Sequence, residues 1–238
     1  MRHIKGFVIG LAIVVICAVW LGSGGCNADK PTQPTAPKDY AVYFWDASHD
    51  NWYYSYRPLS NALDSFYLPF RTQSIVVSAD GQHLYVYAGS FTAVVNLDSH
   101  TVKRELPGFT PLAVSPDNRL VAMEGADGLH ILRTSDYSVA YYDTTVVQRG
   151  VFSADSKSFY GVGGWVPHGS PYAYQTDITD TATAGSLRWF ADGSPSDFVP
   201  SLDETRMFLY LSYSTFGSLF AVYDAASDSI IFRDFFSP

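Results

Sequence analysis

The sequence predicts an all-β chain folded as a β-propeller of about five four-stranded blades, incomplete or imperfectly closed. Three observations carry that prediction. The first is a phrase written four times, in which an apolar run meets Ser-x-Asp, a polar turn and a second apolar run. Its serines, Ser78, Ser115, Ser153 and Ser201, stand 37, 38 and 48 residues apart. A period of roughly 40 residues with several short strands in each unit marks a propeller blade. The second is that the strand-like runs Ile75-Val76-Val77, Leu84-Tyr85-Val86-Tyr87 and Phe208-Leu209-Tyr210-Leu211 are apolar on both faces. A strand with one wet face alternates apolar and polar residues instead. The third is that no long window after residue 38 holds a 3.6-residue apolar period, so helices are not expected.

The elements follow in order. Residues 40–45, 52–56 and 63–68 read as strands B, C and D of an opening unit with no strand A. The next unit reads as 74–77, 84–87, 93–97 and 102–106, and the third as 112–114, 120–123, 129–132 and 139–142. The fourth reads as 150–152, 159–162, 172–175 and 187–190, and the last as 197–199, 207–211, 219–223 and 229–235. These runs are rich in Val, Tyr, Phe, Leu and Ile and are bounded by Gly, Asp, Ser, Asn and Pro. A strand A for the opening unit would follow 232–236 if the ring closed by exchanging terminal strands, and an open edge invites pairing with another chain. The aromatic content of 16% suits wedge-shaped blade contacts, with large rings expected in the widening outer gap. A β-sandwich is the alternative topology.

Ser-x-Asp falls between strands A and B, where an Asp carboxylate accepts backbone N–H bonds and a residue such as Gly81 or Asn118 takes positive φ. The expected role is structural. As metal ligands or an acid/base set these aspartates would have to converge, and one copy per blade keeps them apart.

Two phrases resemble a known family. Ser115-Pro116-Asp117-Asn118 before an aliphatic strand, and Val94-Val95-Asn96-Leu97-Asp98-Ser99-His100-Thr101-Val102, look like the YVTN-type bacterial surface repeat. The resemblance implies that the second phrase is strand C, an Asp-led turn and strand D, with Pro58, Asp98, Thr134, Asp177 and Asp224 in the turn slot. It also implies an extracytoplasmic, often surface-attached propeller with no shared reaction. The sialidase Asp-box, S-x-D-x-G-x-T-W, is not matched, because Gln82 replaces its glycine and Leu84 its tryptophan.

The amino terminus points to export. Arg2, His3 and Lys5 precede an apolar stretch at 7–21, followed by Gly22-Ser23-Gly24-Gly25 and Cys26. So short a stretch with basic residues before it and small ones after it reads as a secretory signal at 1–25 rather than a span. The small residues before Cys26 resemble the bacterial lipobox, with Ser23 where a large aliphatic residue is usual, and the resemblance implies lipid attachment at Cys26. An ordinary cleaved signal or an uncleaved anchor is the alternative. Residues 26–38 hold Pro31, Pro34 and Pro37 and no apolar residue larger than Ala beyond the cysteine, a composition for an extended spacer. The globular part is then 39–238, located in the bacterial cell envelope, outside the cytoplasm, on the outer membrane or the cell surface.

Charge excludes one partner class. The net charge is −8, and loss of 1–25 removes Arg2 and Lys5 but no acid, giving −10. No run of Lys or Arg follows the spacer, so nucleic acid is not an expected partner.

The B–C and D–A loops share one propeller face and are the less uniform set. Residues 163–171 form the longest loop, with Trp165 and His168 between glycines and prolines; beside it come Asp127 in 125–128, and Tyr213 and Phe216 in 213–217. Aromatic and polar groups on loops suit a protein or glycan ligand. No nucleophilic triad, phosphate loop, metal-spaced His pair or cofactor motif is found. The expected function is a lipid-anchored, non-catalytic binding module. Its alternatives are an enzyme on extracellular polysaccharide and an oligomerising structural protein.

Overall fold

Short β-branched and aromatic runs broken by Gly, Asp, Asn and Ser build five antiparallel sheets in the computed structural model, which describes residues 40–45, 51–163, 172–179, 186–189, 194–201, 206–213, 217–224 and 229–236. The first sheet holds β1 (Val42–Trp45), β2 (Trp52–Arg57) and β3 (Ala62–Tyr67). The second holds β4 (Ser74–Val77), β5 (His83–Tyr87), β6 (Phe91–Asn96) and β7 (Thr101–Pro107). The third holds β8 (Thr110–Val114), β9 (Leu120–Gly125), β10 (Gly128–Arg133) and β11 (Val139–Asp143). The fourth holds β12 (Arg149–Phe152), β13 (Ser158–Gly163), β14 (Tyr172–Asp177) and β15 (Ser186–Trp189). The fifth holds β16 (Ser194–Pro200), β17 (Arg206–Tyr213), β18 (Gly217–Asp224) and β19 (Ser229–Phe236). Each is a meander in which every strand pairs with its sequence neighbour, and among the described residues the first has three strands.

The side-chain period of two decides how the sheets stack. On β5, Leu84 and Val86 point into one cluster with Tyr53 and Phe66 of the first sheet. Tyr85, between them, points into another with Val121, Met123 and Leu132 of the third. The third sheet repeats the division, because Ala122, Leu129 and Ile131 join Phe152, Phe159 and Tyr174 of the fourth. Tyr160 and Val162 of the fourth then join Phe198, Leu209, Ala221 and Tyr223 of the fifth. Each sheet thus has a front turned to the preceding sheet and a back turned to the following one. A two-layer sandwich has one core; here one core lies at each of four successive contacts. The inner strand β8 packs beside both β4 and β12, which sets the A strands side by side around the centre.

Two details depart from the sequence expectation or extend it. The largest fully buried rings, Tyr53, Tyr85, Phe159 and Tyr174, sit on strands B and C rather than in the outer gap. The outer strand β7 is exposed at all but Leu106, and among the described residues no strand pairs with its far edge. The C–D pairing also slips by one residue at the same place in three sheets, between Val94 and Val95, Ile131 and Leu132, and Val222 and Tyr223. Such a repeated bulge adds twist to each outer strand.

Candidate functional site

One rim of the propeller is given to holding the blades together. The hydroxyls of Ser78, Ser115 and Ser153 are buried and donate to the carboxylates of Asp80, Asp117 and Asp155 at 2.5, 2.6 and 2.7 Å. The same hydroxyls accept the backbone N–H of His83, Leu120 and Ser158 at 2.9, 2.9 and 2.8 Å. The carboxylates in turn accept the N–H of Gln82, Arg119 and Lys157. Burial alone pushes the Asp80 and Asp117 carboxyls up, but these hydroxyl and backbone donors outweigh it and hold both below the usual carboxylate value. The Ser153 hydroxyl does the same for Asp155.

The next residue in each turn has φ near +60°: Gly81 at 70°, Asn118 at 60° and Ser156 at 63°. From that conformation Asn118 Oδ1 accepts the N–H of Asp80 at 3.1 Å, and Ser156 Oγ accepts the N–H of Asp117 at 3.3 Å. The turns of neighbouring sheets therefore touch. This corrects the expectation that one copy per blade keeps the phrases apart: inner strands lie side by side, so their A–B turns adjoin across 38 and 39 residues of sequence. In the C–D turns the capping residue also shifts, since Asn96, not Asp98, accepts the N–H of Ser99, whereas Asp177 caps Thr179 from the expected slot.

The opposite rim carries the B–C turns and the D–A connections, as the register shows: Gly125 faces Gly128, and Asp143 at the end of β11 faces Leu129. Here Asp127 Oδ1 lies 2.7 Å from His130 Nε2 across the turn. The imidazole packs edge-on against Phe109 of the preceding D–A connection at 5.0 Å and lies tilted against Tyr142 at 4.7 Å. Tyr142 donates its hydroxyl to the Asp127 carbonyl at 3.1 Å. Gly125 leaves the space the ring needs, because a Cβ there would stand 3.0 Å from it. The bond to His130 is the main reason the Asp127 carboxyl is held below its usual range. Asp127 itself is 66% exposed, whereas His130 is 13% exposed and its Nδ1 is buried with no partner. One imidazole nitrogen meets a carboxylate oxygen and the other is buried, so the ring holds Asp127 in place. Sequence analysis singles out Asp127 and not His130; Asp-Gly-x-His across a tight turn is the signal that pairs them.

Below this rim lies a polar network that the sequence reading missed. Tyr174 and Tyr141 donate to Asp143 Oδ2 at 2.9 and 3.2 Å, and Thr176 donates to the Tyr141 hydroxyl at 2.9 Å. Thr145 closes the other oxygen with its N–H and hydroxyl at 2.9 and 2.6 Å. Burial, followed by the bond to Tyr141 and the charge of Asp143, pushes the Tyr174 hydroxyl far above its usual range. The network locks the third sheet to the fourth. Among the described residues no three His, Cys, Asp or Glu side chains gather as a metal site.

The remaining sequence candidates are only partly placed. Cys26, Trp165, His168 and Phe216 lie outside the described residues, and of Tyr213 only the backbone is described, paired with Gly217.

Comparison with solved structures agrees with this architecture. Hydrazine synthase of Kuenenia stuttgartiensis superposes with a TM-score of 0.64 at 13% identity over 76% of the chain. TolB of Acinetobacter baumannii gives 0.60 at 14% over 83%, and a putative TolB of Agrobacterium tumefaciens gives 0.54 at 14% over 74%. The fold is a β-propeller. The chain spans 59%, 52% and 66% of those three chains. At such identities the likeness is one of fold, and one of the three is by name an enzyme, so the scaffold alone does not choose between binding and catalysis. No family model matches the sequence, and no curated protein matches it.

Proposed function

We propose that the protein is an exported propeller, lipid-anchored at Cys26 and held off the membrane by residues 27–38, that acts by binding a protein or glycan through its B–C and D–A rim. The observation that carries this reading is the state of the His130 pair. An exposed carboxylate is held at 2.7 Å by an imidazole whose other nitrogen is buried, beside the half-exposed ring of Tyr142. Such a group accepts hydrogen bonds from sugar hydroxyls or from Lys and Arg of a partner, and its fixed geometry lowers the ordering cost of binding. Trp165 and His168, on the long loop of the next unit, extend the same rim in this reading. The YVTN-like phrases and the TolB-like neighbours support an envelope location, and the edge of β1, which pairs with no strand on its far side among the described residues, offers strand pairing with another chain as an additional contact.

The test is a screen of the full chain against glycans and envelope proteins, with Trp165→Ala and Asp127→Asn beside the wild type. The reading expects a ligand whose affinity falls about tenfold or more with either change, the size of one lost charge-assisted bond or aromatic anchor. A ligand indifferent to both would move the site off this rim. Metabolic labelling with a fatty-acid analogue tests the anchor: the wild type should be marked and Cys26→Ser should not, and equal marking of both contradicts it.

A further inference from the structure

The stack of sheets ends, at both sides, on an apolar face that no other sheet covers among the described residues. On the front of the first sheet stand Val42, Phe44, Trp52, Leu63 and Tyr67, each between 39% and 64% exposed. Phe44 stacks on Tyr54 at 5.3 Å and Trp52 meets Tyr67 edge-on at 5.8 Å, so the rings form one surface. Its register positions on the three strands, even-numbered on β1 and β2 and odd-numbered on β3, include no charged residue. On the back of the fifth sheet, Phe208, Phe220 and Phe232 make a ladder with centroids 6.2 Å apart at each step. Its charged members in β17 and β18, Arg206 and Asp224, sit at one margin and face each other at 3.8 Å; in β19 Asp234 stands in register opposite Phe220, and in β16 Asp197 stands opposite Tyr210.

Exposed apolar patches of this kind mark interaction surfaces, and the fold itself says which partner fits. At all four internal contacts the back of one sheet lies on the front of the next. The two uncovered faces are one front and one back. They are the two halves of the contact the chain already makes four times, and no described strand covers either of them. We infer that a second copy of this chain docks there, the back of the fifth sheet of one copy on the front of the first sheet of the other. The association is heterologous: two different patches meet, and each copy keeps one patch of each kind. It needs the fold but not the ligand rim, so it stands apart from the binding function proposed above.

The experiment mixes full-length chain grown in ordinary and in ¹⁵N medium, purified in detergent, with Phe44→benzoylphenylalanine as a photo-crosslinker. The inference expects peptides of β16–β19 joined to β1 in mixed-isotope products. Same-isotope products alone would mean that the chain closes on itself, and products lacking β16–β19 would mean another surface; either overturns it. Leu63→Glu, on the most exposed of these side chains, should cut mixed products about tenfold when both copies carry it, since a charge is placed in an apolar contact. When one isotope alone carries it, the yield should fall only to about half, because front-to-back pairs that use the variant's back persist. Complete loss in that last mixture would point to front-to-front pairing and overturn the heterologous arrangement.

Discussion

Replacing Ser115 with Ala removes one hydroxyl and two bonds from a position with no solvent exposure. The bond donated to Asp117 at 2.6 Å is charge-assisted, and the bond accepted from the Leu120 N–H at 2.9 Å is neutral. Bonds to charged groups contribute about 1.5–3 kcal/mol and neutral ones about 1 kcal/mol. Asp117 keeps the Arg119 N–H and partial access to water, so its loss belongs at the lower end. The Leu120 N–H loses the hydroxyl that caps it at the end of the A–B hairpin. The expected cost is about 2–3 kcal/mol. For a domain of roughly 200 residues each kcal/mol lowers Tm by about 2–4 °C, so Ser115→Ala should melt about 4–12 °C below the wild type. Asp117→Ala removes the same charge-assisted bond from the other end and should cost roughly 1 kcal/mol, since its own turn is wetter. Because both variants break one shared bond, the double variant should cost less than their sum by about 1 kcal/mol. Urea unfolding of the four proteins measures the cycle. Additivity within about 0.3 kcal/mol, or a Ser115→Ala cost below about 0.5 kcal/mol, would show that the repeated phrase does not hold the turn.

Other outcomes follow from the same geometry. Gly128→Ala should lower Tm by more than any single-bond deletion, because φ is +134° and a Cβ would collide with the Asp143 carbonyl and stand 2.7 Å from Thr144 backbone atoms, none of which can yield; calorimetry or a failure to express folded chain reads this. The carboxyls of Asp80, Asp117 and Asp155 are all held below their unfolded value of 3.8. Their contribution is therefore complete above that value and is lost as pH falls through it, so stability measured between pH 6 and 3 should drop less in Asp117→Asn than in the wild type. Tyr53, Tyr85 and Tyr174 are pushed well above 10.0 by burial first of all, so stability should fall once pH rises through about 10, where only the unfolded chain ionises these hydroxyls. Absorbance titration should show those three silent until the fold opens. Tyr174→Phe should cost about 1–3 kcal/mol by leaving Asp143 short of a donor.

The strands were legible because each is a local matter of apolar runs and turn residues. The positive φ at Gly81 and Asn118 was readable from residue type; Ser156 was not, because serine carries no such preference. The stitching of Asp80 to Asn118 was hidden for another reason. It depends on where one inner strand lies beside the next, which no local pattern encodes. Tyr141, Asp143, Tyr174 and Thr176 meet from two sheets, so their network was equally out of reach. His130 was within reach, since it stands three residues from Asp127 across a tight turn. Packing is part of its role, since it presses on Phe109 and Tyr142 while holding the carboxylate.

The central claim is a division between rims: the Ser-x-Asp rim holds the blades and the Asp127 rim meets the ligand. It is tested by measuring, on one ligand from the screen, affinity and Tm for Asp117→Ala and Asp127→Asn together. The account predicts that Asp117→Ala lowers Tm with affinity unchanged, and that Asp127→Asn weakens binding about tenfold with Tm within about 2 °C, as expected for a surface side chain. The reverse pattern, affinity lost at Asp117 and Tm lost at Asp127, would contradict it.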